Sequence, residues 1–233
     1  FKKEIKKDSV GLYLKYGYIP QPYTIFENTY KLEAGTYLIF DLEVKEYKVS
    51  RYWNVDTGFK KPKLDISFDE AKTEVEELLG KSLEYRMISD VPVGVFLSGG
   101  YDSSAVSSIL QANSMQKIKT FTIGFKEEKY NEAIYAKQVA QHLGTDHHEY
   151  YLSQKDALEI LPTLPDIFDE PFGDSSAIPT IMVSQFAREH VSVSLSADGG
   201  DELFSGYPSY KNIFDLYSKI PKSHLLKQFS KLA

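Results

Sequence analysis

The chain has 233 residues, of which 42% are hydrophobic and 26% are charged, and its formal net charge at pH 7 is −6. This length allows one sizeable core, or one domain with an appendage. The acidic balance argues against a nucleic-acid partner, and no window approaches the ~18 uninterrupted apolar residues of a membrane span. The absence of cysteine excludes disulfides, thiolate metal sites and a cysteine nucleophile in this chain, and it favours a cytoplasmic location. The sequence has no signal-peptide pattern, and because it opens on Phe1 rather than Met, we expect it to be a fragment.

Residues 1–57 differ in composition from the rest of the chain, because they are rich in Tyr, Lys and Pro. Two strands are predicted at 36–40 and 47–50, with 41–46 as the hairpin connection. Two strands alone are only marginally stable. We therefore interpret 1–57 as the remnant of a β-rich domain, and 56–63 as a linker.

Beyond the linker, the sequence alternates between helix and strand signals. Ser67 and Glu70 match a capping box, and the apolar spacing that follows predicts a long amphipathic helix ending near Met87. Strands are then predicted at 93–97, 119–125, 148–152 and 191–195, with helices from Asp102, from Asn131 or Glu132, after Ser153, and over 177–189. This alternation predicts an α/β fold with a parallel sheet and helices on both faces. Ligands of such sheets bind beyond the carboxyl ends of the strands.

The most informative segment is 97–104, Leu-Ser-Gly-Gly-Tyr-Asp-Ser-Ser, between a predicted strand and a predicted helix. Glycines let the backbone approach an anion, N–H groups and hydroxyls point at it, and the helix dipole adds about half a positive charge. The loop lacks the Gly-Lys-Ser/Thr ending of a Walker A loop. Asp102 would repel bound phosphates unless a cation such as Mg²⁺ lay between them. An ordinary glycine turn is the alternative, but it needs neither the hydroxyls nor the acid.

A second cluster, 196–207, also follows a predicted strand, and it contains Asp198, Asp201 and Glu202. Three carboxylates within five residues repel one another unless a cation or solvent relieves them. We expect Asp102 and Asp201 to act on the same metal, although an exposed acidic turn is the alternative.

Two further segments are less specific. The polar stretch 169–180 is interpreted either as a substrate-facing loop or as a loop in which Ser175 or Ser176 caps the next helix. His147 and His148 are adjacent in a predicted strand, where successive side chains point to opposite faces, so they do not readily share one ion.

The segments 97–104, 169–180 and 195–204 together resemble the asparagine synthase family of glutamine-dependent amidotransferases. The first motif is shared with GMP synthetase and tRNA thiolation enzymes, and the third makes the match specific. Segments 16–26 and 31–38 resemble the tail of that family's N-terminal glutaminase domain. The resemblance implies a glutaminase remnant at 1–57 and, at 65–233, an adenine nucleotide α-hydrolase-like (ATP-pyrophosphatase) synthetase domain that is truncated at its C-terminus.

The resemblance also implies a reaction and its residues. A substrate carboxylate, which is expected to be that of the aspartate side chain, attacks ATP to give an acyl-adenylate and pyrophosphate. Ammonia derived from glutamine then attacks the acyl-adenylate and yields asparagine and AMP. Mg²⁺ would be held by Asp102 and Asp201, and these two with Asp198 are the expected catalytic acids. Asp198 stands where many members carry a glutamate. The nucleotide would be held by the adenosine-binding set Leu97, Ile123, Ser196 and Ala197 and by the phosphate-binding set Ser98, Gly100, Ser103 and Ser104. A homodimer is among the assemblies that the resemblance allows.

Departures from the family leave alternatives open. Members that hydrolyse glutamine use an N-terminal cysteine, which this chain lacks. The chain could be a relative that acts on another carboxylate, in a peptide, a β-lactam precursor or a sugar precursor. It could also be a non-catalytic nucleotide-binding module. The missing cysteines and the acidic balance speak against a tRNA thiolase or a sulfate-adenylate reductase.

Overall fold

The computed structural model describes residues 2–125 and 131–219. The chain divides into two compact units, Phe1–Glu74 with Leu152–Met182, and Val75–Tyr151 with Val183–Ala233. None of the helices in the described ranges is long and apolar enough to cross a membrane. The division predicted from the sequence, 1–57 against 65–233, remains a prediction, and residues 220–233 of it lie outside the described part.

The first unit contains the predicted hairpin. Strands β1 (Thr36–Phe40) and β2 (Tyr47–Arg51) pair antiparallel, which confirms the prediction. The connection is held by Asp41, whose carboxylate accepts the N–H groups of Glu43 and Val44 at 2.8 and 3.1 Å. A local Asx-type turn therefore closes the hairpin without an Asn-Gly pair.

The same unit carries helices that the sequence did not reveal. Helix α1 (Lys7–Tyr16) was not predicted, although Val10, Tyr13 and Leu14 stand at helical spacing, and Ser9 is its one buried residue. Helix α2 (Val55–Phe59) occupies part of the predicted linker, because the Asn54 side chain accepts the Asp56 N–H at 2.9 Å and starts a helical turn. Two helices follow much later in the chain: α6 (Gln154–Ile160), which was predicted after Ser153, and α7 (Leu164–Ile167), which was not.

The second unit is built on a four-stranded sheet in the order β5-β4-β3-β6. Strand β3 pairs parallel with β4 on one side and with β6 on the other, which confirms the predicted parallel α/β sheet. The elements are α3 (Phe68–Met87), β3 (Val93–Phe96), α4 (Tyr101–Ala112), β4 (Lys119–Phe125), α5 (Ala133–Leu143), β5 (Asp146–Leu152), α8 (Ala177–Arg188), β6 (Val193–Leu195), α9 (Gly200–Phe204) and α10 (Pro208–Lys219).

Helices cover both faces of this sheet. On one face, Val95 of β3 packs against Leu83 of α3 and Val106 of α4. On the other face, Phe96 packs with Phe121 of β4 against the end of α8. Neighbouring residues of a strand point to opposite sides, and burying each such side chain stabilises the fold by about 1.5–3 kcal/mol.

Most predicted helix boundaries are confirmed by their caps. Ser67 and Glu70 form the expected capping box, with the Ser67 N–H donating to the Glu70 carboxylate at 2.8 Å. Helix α5 ends at Gly144, whose φ is +74°, and Ser153 starts α6. Strand β6 is shorter than predicted, because the Val191 N–H still bonds to a carbonyl of the α8 end.

Candidate nucleotide-binding site

The loop from 97 to 104 leaves the carboxyl end of β3 and enters α4. The Leu97 N–H donates to the Phe121 carbonyl at 2.9 Å, so the ladder with β4 continues one residue beyond the strand. The Leu97 side chain is 1% exposed and packs against Ala136 and Ala140 of α5. Any contact between Leu97 and a nucleotide would therefore be made by its main chain.

Gly99 fixes the path of this loop over α5. Its φ is +83°, in the region that favours glycine. A Cβ here would lie 2.6 Å from the Ala136 nitrogen and 2.7 Å from the Tyr135 carbonyl carbon. Both the conformation and the close approach require glycine, so the loop is held tightly against the start of α5.

Two serine hydroxyls close the loop on itself. The Oγ atoms of Ser98 and Ser103 lie 2.9 Å apart, and the Ser98 N–H donates to Ser103 Oγ at 3.2 Å. Gly100 donates its N–H to Ser98 Oγ at 3.2 Å. Hydroxyls can both donate and accept, so these groups can exchange an internal partner for a ligand oxygen.

The start of α4 retains unmet hydrogen-bonding capacity. Gly100 is the N-cap residue and provides no side-chain cap, so the first N–H groups of this 12-residue helix are free of side-chain partners. The Ser104 hydroxyl is buried without a hydrogen-bond partner in the described part of the chain. A buried polar group without a partner is costly, and a phosphate oxygen would satisfy it.

The acidic turn after β6 lies against this loop. A Cβ at Gly200 would overlap the carboxylate of Asp102, so Asp102 rests directly on the turn that contains Asp201. Gly199, with φ of +97°, lets the chain turn into α9. The predicted meeting of the two motifs at one edge of the sheet is confirmed.

The three acids of the turn have different surroundings. The Glu202 carboxylate accepts the Tyr207 hydroxyl at 3.0 Å, and this bond, burial and the nearby Glu202 and Asp201 charges raise the Tyr207 pKa. The Asp201 carboxylate occupies the space that a Cβ at Gly206 would fill. Asp198 is exposed. Neither Asp102 nor Asp201 has an ion-pair partner among the residues that the structure describes.

The donor set fits Mg²⁺ bound together with phosphates. Within residues 2–125 and 131–219 there is no group of three or more His, Cys, Asp or Glu side chains that could hold a metal by itself. Mg²⁺ usually takes one or two carboxylates and completes its shell with phosphate oxygens and water. The two carboxylates at this edge match that requirement, whereas a site made only of protein ligands would need more.

The residues expected around the adenosine lie at the ends of three neighbouring strands. Ile123 is half-buried in the last part of β4, and Leu97 follows the neighbouring strand β3. Ser196 and Ala197 follow β6 directly, with Ser196 exposed and Ala197 packed beside the α3–α4 core. The binding roles of these residues remain predictions.

The middle segment, 169–180, belongs to the first unit and is tied to its N-terminal part. The Glu170 carboxylate accepts the Ile25 N–H at 3.2 Å and pairs with the Lys31 ammonium. Lys31 also donates to the Ile19 carbonyl at 2.5 Å. Glu170 therefore acts as a structural clamp, a role that sequence reasoning missed because its partners lie 139 and 145 residues away.

The cap before α8 also differs in detail from the prediction. The Asp174 carboxylate accepts the Ser176 N–H at 2.7 Å, and hydrogen bonds from the backbone and side chain of Ser176 lower the Asp174 pKa. Asp174 thus makes the described capping contact for which Ser175 or Ser176 was expected.

The two adjacent histidines point to opposite faces of the sheet, as predicted. His147 Nδ1 lies 2.8 Å from the Thr120 hydroxyl, and burial lowers the His147 pKa. The His148 ring stacks on Phe121, on the α8 face.

Residues 74–233 match the family model described as Asparagine synthase. The chain belongs to the asparagine synthase family. Its match to the family model includes the loop after β3, the segment before α8 and the turn after β6, so all three motifs lie in the matched part.

Named relatives agree with this membership. Over 226 residues the chain is 45% identical to a Methanocaldococcus jannaschii protein named as a glutamine-hydrolysing asparagine synthetase, covering 95% of this chain and 42% of that protein. It is 33% identical to asparagine synthetase 1 of Bacillus subtilis, covering 94% of this chain and 34% of that protein. The chain therefore spans less than half the length of these relatives.

Among solved structures, the chain resembles a glutamine-dependent NAD⁺ synthetase from Acinetobacter baumannii in complex with ADP. The TM-score is 0.44 at 19% identity, covering 72% of this chain and 31% of that chain. At this TM-score the likeness says nothing about the chemistry of the asparagine synthase family member described here.

Proposed function

We propose that this chain forms the ATP-activating part of an amide-forming ligase. The observation that carries the proposal is the contact between Asp102 and Gly200. It joins the hydroxyl-rich loop after β3 to the acidic turn after β6, in a chain that belongs to the asparagine synthase family. An isolated glycine turn would have no reason to place its acid against a second acidic segment.

The loop side of the site suits the phosphates of ATP. The uncapped N-terminus of α4 offers N–H groups and a favourable dipole. The buried hydroxyl of Ser104 needs a partner, and Ser98 and Ser103 can turn from each other to a ligand oxygen. Gly100 lets the chain pass close to the phosphates.

The acids complete this site with a bound cation. Asp102 and Asp201 would hold Mg²⁺, which, when bound, neutralises charge on the phosphate oxygens. Without a cation, two carboxylates beside phosphates would weaken binding. The acids therefore make ATP binding depend on a divalent cation.

The reaction needs positioning and charge neutralisation more than covalent participation by the protein. An oxygen of the substrate carboxylate bonds to the α-phosphorus of ATP, and the bond from that phosphorus to the bridging oxygen of pyrophosphate breaks. Ammonia then bonds to the acyl carbon, the bond to the AMP oxygen breaks, and a proton is lost to solvent. The products are an amide, AMP and pyrophosphate.

The acceptor that we propose first is the side-chain carboxylate of aspartate. Exposed Asp198 is placed at the same edge and is the acid that we assign to substrate activation. Because the chain contains no cysteine, the proposed reaction of these residues starts from ammonia, whatever its source. A cytoplasmic location and a homodimer belong to the same proposal.

The test is ATP–pyrophosphate exchange in the presence of Mg²⁺, on the longest natural chain that contains these residues, with aspartate and a panel of other carboxylates. Asp102→Asn and Asp201→Asn should abolish exchange and weaken Mg-ATP binding. Asp90→Asn is the matched control, because Asp90 is exposed at the amino end of β3, away from the phosphate loop.

The outcomes separate the alternatives. Exchange that depends on aspartate supports the proposed substrate, and exchange with another acid keeps the adenylation chemistry while changing the acceptor. Mg-ATP binding without exchange by any acid would favour a nucleotide-binding module. Unchanged Mg-ATP binding in both variants would overturn the metal assignment.

A further inference from the structure

A cavity in the sheet unit is lined by residues other than those assigned to the nucleotide. Its volume is about 270 Å³. It opens to solvent and is lined by Phe96 of β3, by the end of α8, where Ser184 and Arg188 are exposed, and by the chain from Val191 to Ser194. None of its lining residues belongs to the phosphate loop or the acidic turn, so the proposed ligase site does not account for it.

One side of this cavity is polar and carries an unpaired cation. It is formed by Arg188, Ser184, Ser192 and Ser194. Arg188 Nη1 donates to Ser192 Oγ at 2.9 Å, which fixes the guanidinium at the cavity. Among the described residues, no carboxylate pairs with Arg188.

The same side contains a hydroxyl that lacks a partner. Ser194 Oγ is buried and forms no hydrogen bond in the described part of the chain. Ser194 pairs with Gly94 across the parallel ladder, so it lies on the same face as Phe96. A buried hydroxyl without a partner costs stability, and a ligand acceptor in the cavity would remove that cost.

The other side of the cavity is apolar. Phe96, Val191 and Val193 line it, and Val191 is buried in the core cluster with Phe121. The volume corresponds to about nine water-sized units at roughly 30 Å³ each. A ligand that fills this volume is small, and the lining suits one anionic end and a short hydrocarbon body.

We propose that this cavity binds a short-chain carboxylate. Its two oxygens would accept from the planar guanidinium of Arg188, which matches a carboxylate in a bidentate manner. The Ser194 hydroxyl would donate to one of these oxygens, and the hydrocarbon body would lie on Phe96 and Val191. A phosphate dianion fits less well, because one cation and a half-apolar lining leave much of its charge unpaired.

Butyrate is the probe that tests this proposal, with butyramide as its uncharged counterpart. A titration of ¹⁵N-labelled protein followed by NMR should show saturable shifts in the amides of Ser192 and Ser194. Arg188→Gln should raise the Kd for butyrate roughly tenfold to hundredfold, and Ser194→Ala should raise it roughly fivefold. Arg86→Gln is the control, because Arg86 is exposed and, among the described residues, its hydrogen bonds are to Ser82 of its own helix.

Several results would overturn the proposal. Shifts that do not saturate, binding of butyramide as tight as that of butyrate, or an unchanged Kd in Arg188→Gln would each do so. Tighter binding of inorganic phosphate than of butyrate would refute the carboxylate class. If Arg188→Gln fails to fold, Ser194→Ala decides alone, because removing an unpartnered hydroxyl leaves the free protein intact. Each of these variants should bind Mg-ATP with the affinity of the wild-type protein.

Discussion

Gly200→Ala is the sharpest test of the proposed metal site, because it adds one methyl group where Asp102 meets the acidic turn. The new Cβ would lie 2.5 Å from the Asp102 carboxylate carbon, about 1 Å inside van der Waals contact. The carboxylate must therefore move by about 1 Å, and a displacement of this size costs a reacting centre roughly a hundredfold. We expect Mg-ATP affinity to fall roughly tenfold to hundredfold, which is about 1.5–3 kcal/mol.

The fold itself should tolerate this change. Gly200 is the first residue of helix α9, where alanine is favoured over glycine, and the displaced atoms belong to a side chain that can rotate. Isothermal titration should therefore show a loss of Mg-ATP affinity, whereas urea unfolding should show an unchanged free energy of unfolding. In an Asp102→Ala background, Gly200→Ala should add nothing, because its effect passes through Asp102. Wild-type affinity in the single variant, or additive effects in the double variant, would refute the reasoning.

Three further predictions concern the loop and the core. Gly99→Ala should lower the free energy of unfolding by about 2–4 kcal/mol, from its positive φ and the backbone overlap. Gly80 lies inside α3, where an added Cβ would meet only the Ile109 side chain at 3.9 Å, so Gly80→Ala should raise the free energy of unfolding by about 0.5–1 kcal/mol. Equal effects of the two substitutions in urea titrations would contradict the geometry. Because burial lowers the His147 pKa, protons bind better to the unfolded chain, so stability should fall as the pH drops below 6.5; His147→Gln should flatten that slope, and an unchanged slope would locate the titration elsewhere. Ser104→Ala should weaken ATP binding roughly fivefold without loss of stability, whereas Ser107→Ala, another buried hydroxyl without a described partner one turn along α4, should leave ATP binding unchanged in the same titration.

The parts of the fold that were predictable from the sequence have local signals. The capping boxes at Ser67 and Ser153 and the glycine after α5 mark boundaries by hydrogen bonds within a few residues. Strand β4 is rich in aromatic and β-branched residues, and consecutive residues from Thr120 to Thr122 are buried, as expected for a strand covered on both faces. The meeting of Asp102 with the turn after β6 follows from parallel strands, whose carboxyl ends share one edge.

The parts that were missed depend on contacts distant in sequence or on weak patterns. The apolar spacing of helix α1 is limited to Val10, Tyr13 and Leu14, and the helix contains Gly11, which weakens the helical signal. The start of β6 depends on where α8 ends, and the hydrogen bond from the Val191 N–H to the Ala187 carbonyl extends the helical turn to that point. The clamp at Glu170 depends on Lys31 and Ile25, which no local pattern connects to it.

That clamp changes how mutations in this segment should be interpreted. Glu170 lies within one of the family's motifs, yet its carboxylate is 19% exposed and held by Lys31 and the Ile25 N–H. A screen that scores only growth or product would not distinguish a substitution at Glu170 from one that removes a contact with the substrate. Protein abundance measured beside activity separates the two, because removing one partner of a mostly buried pair strands the other charge and lowers the amount of folded protein.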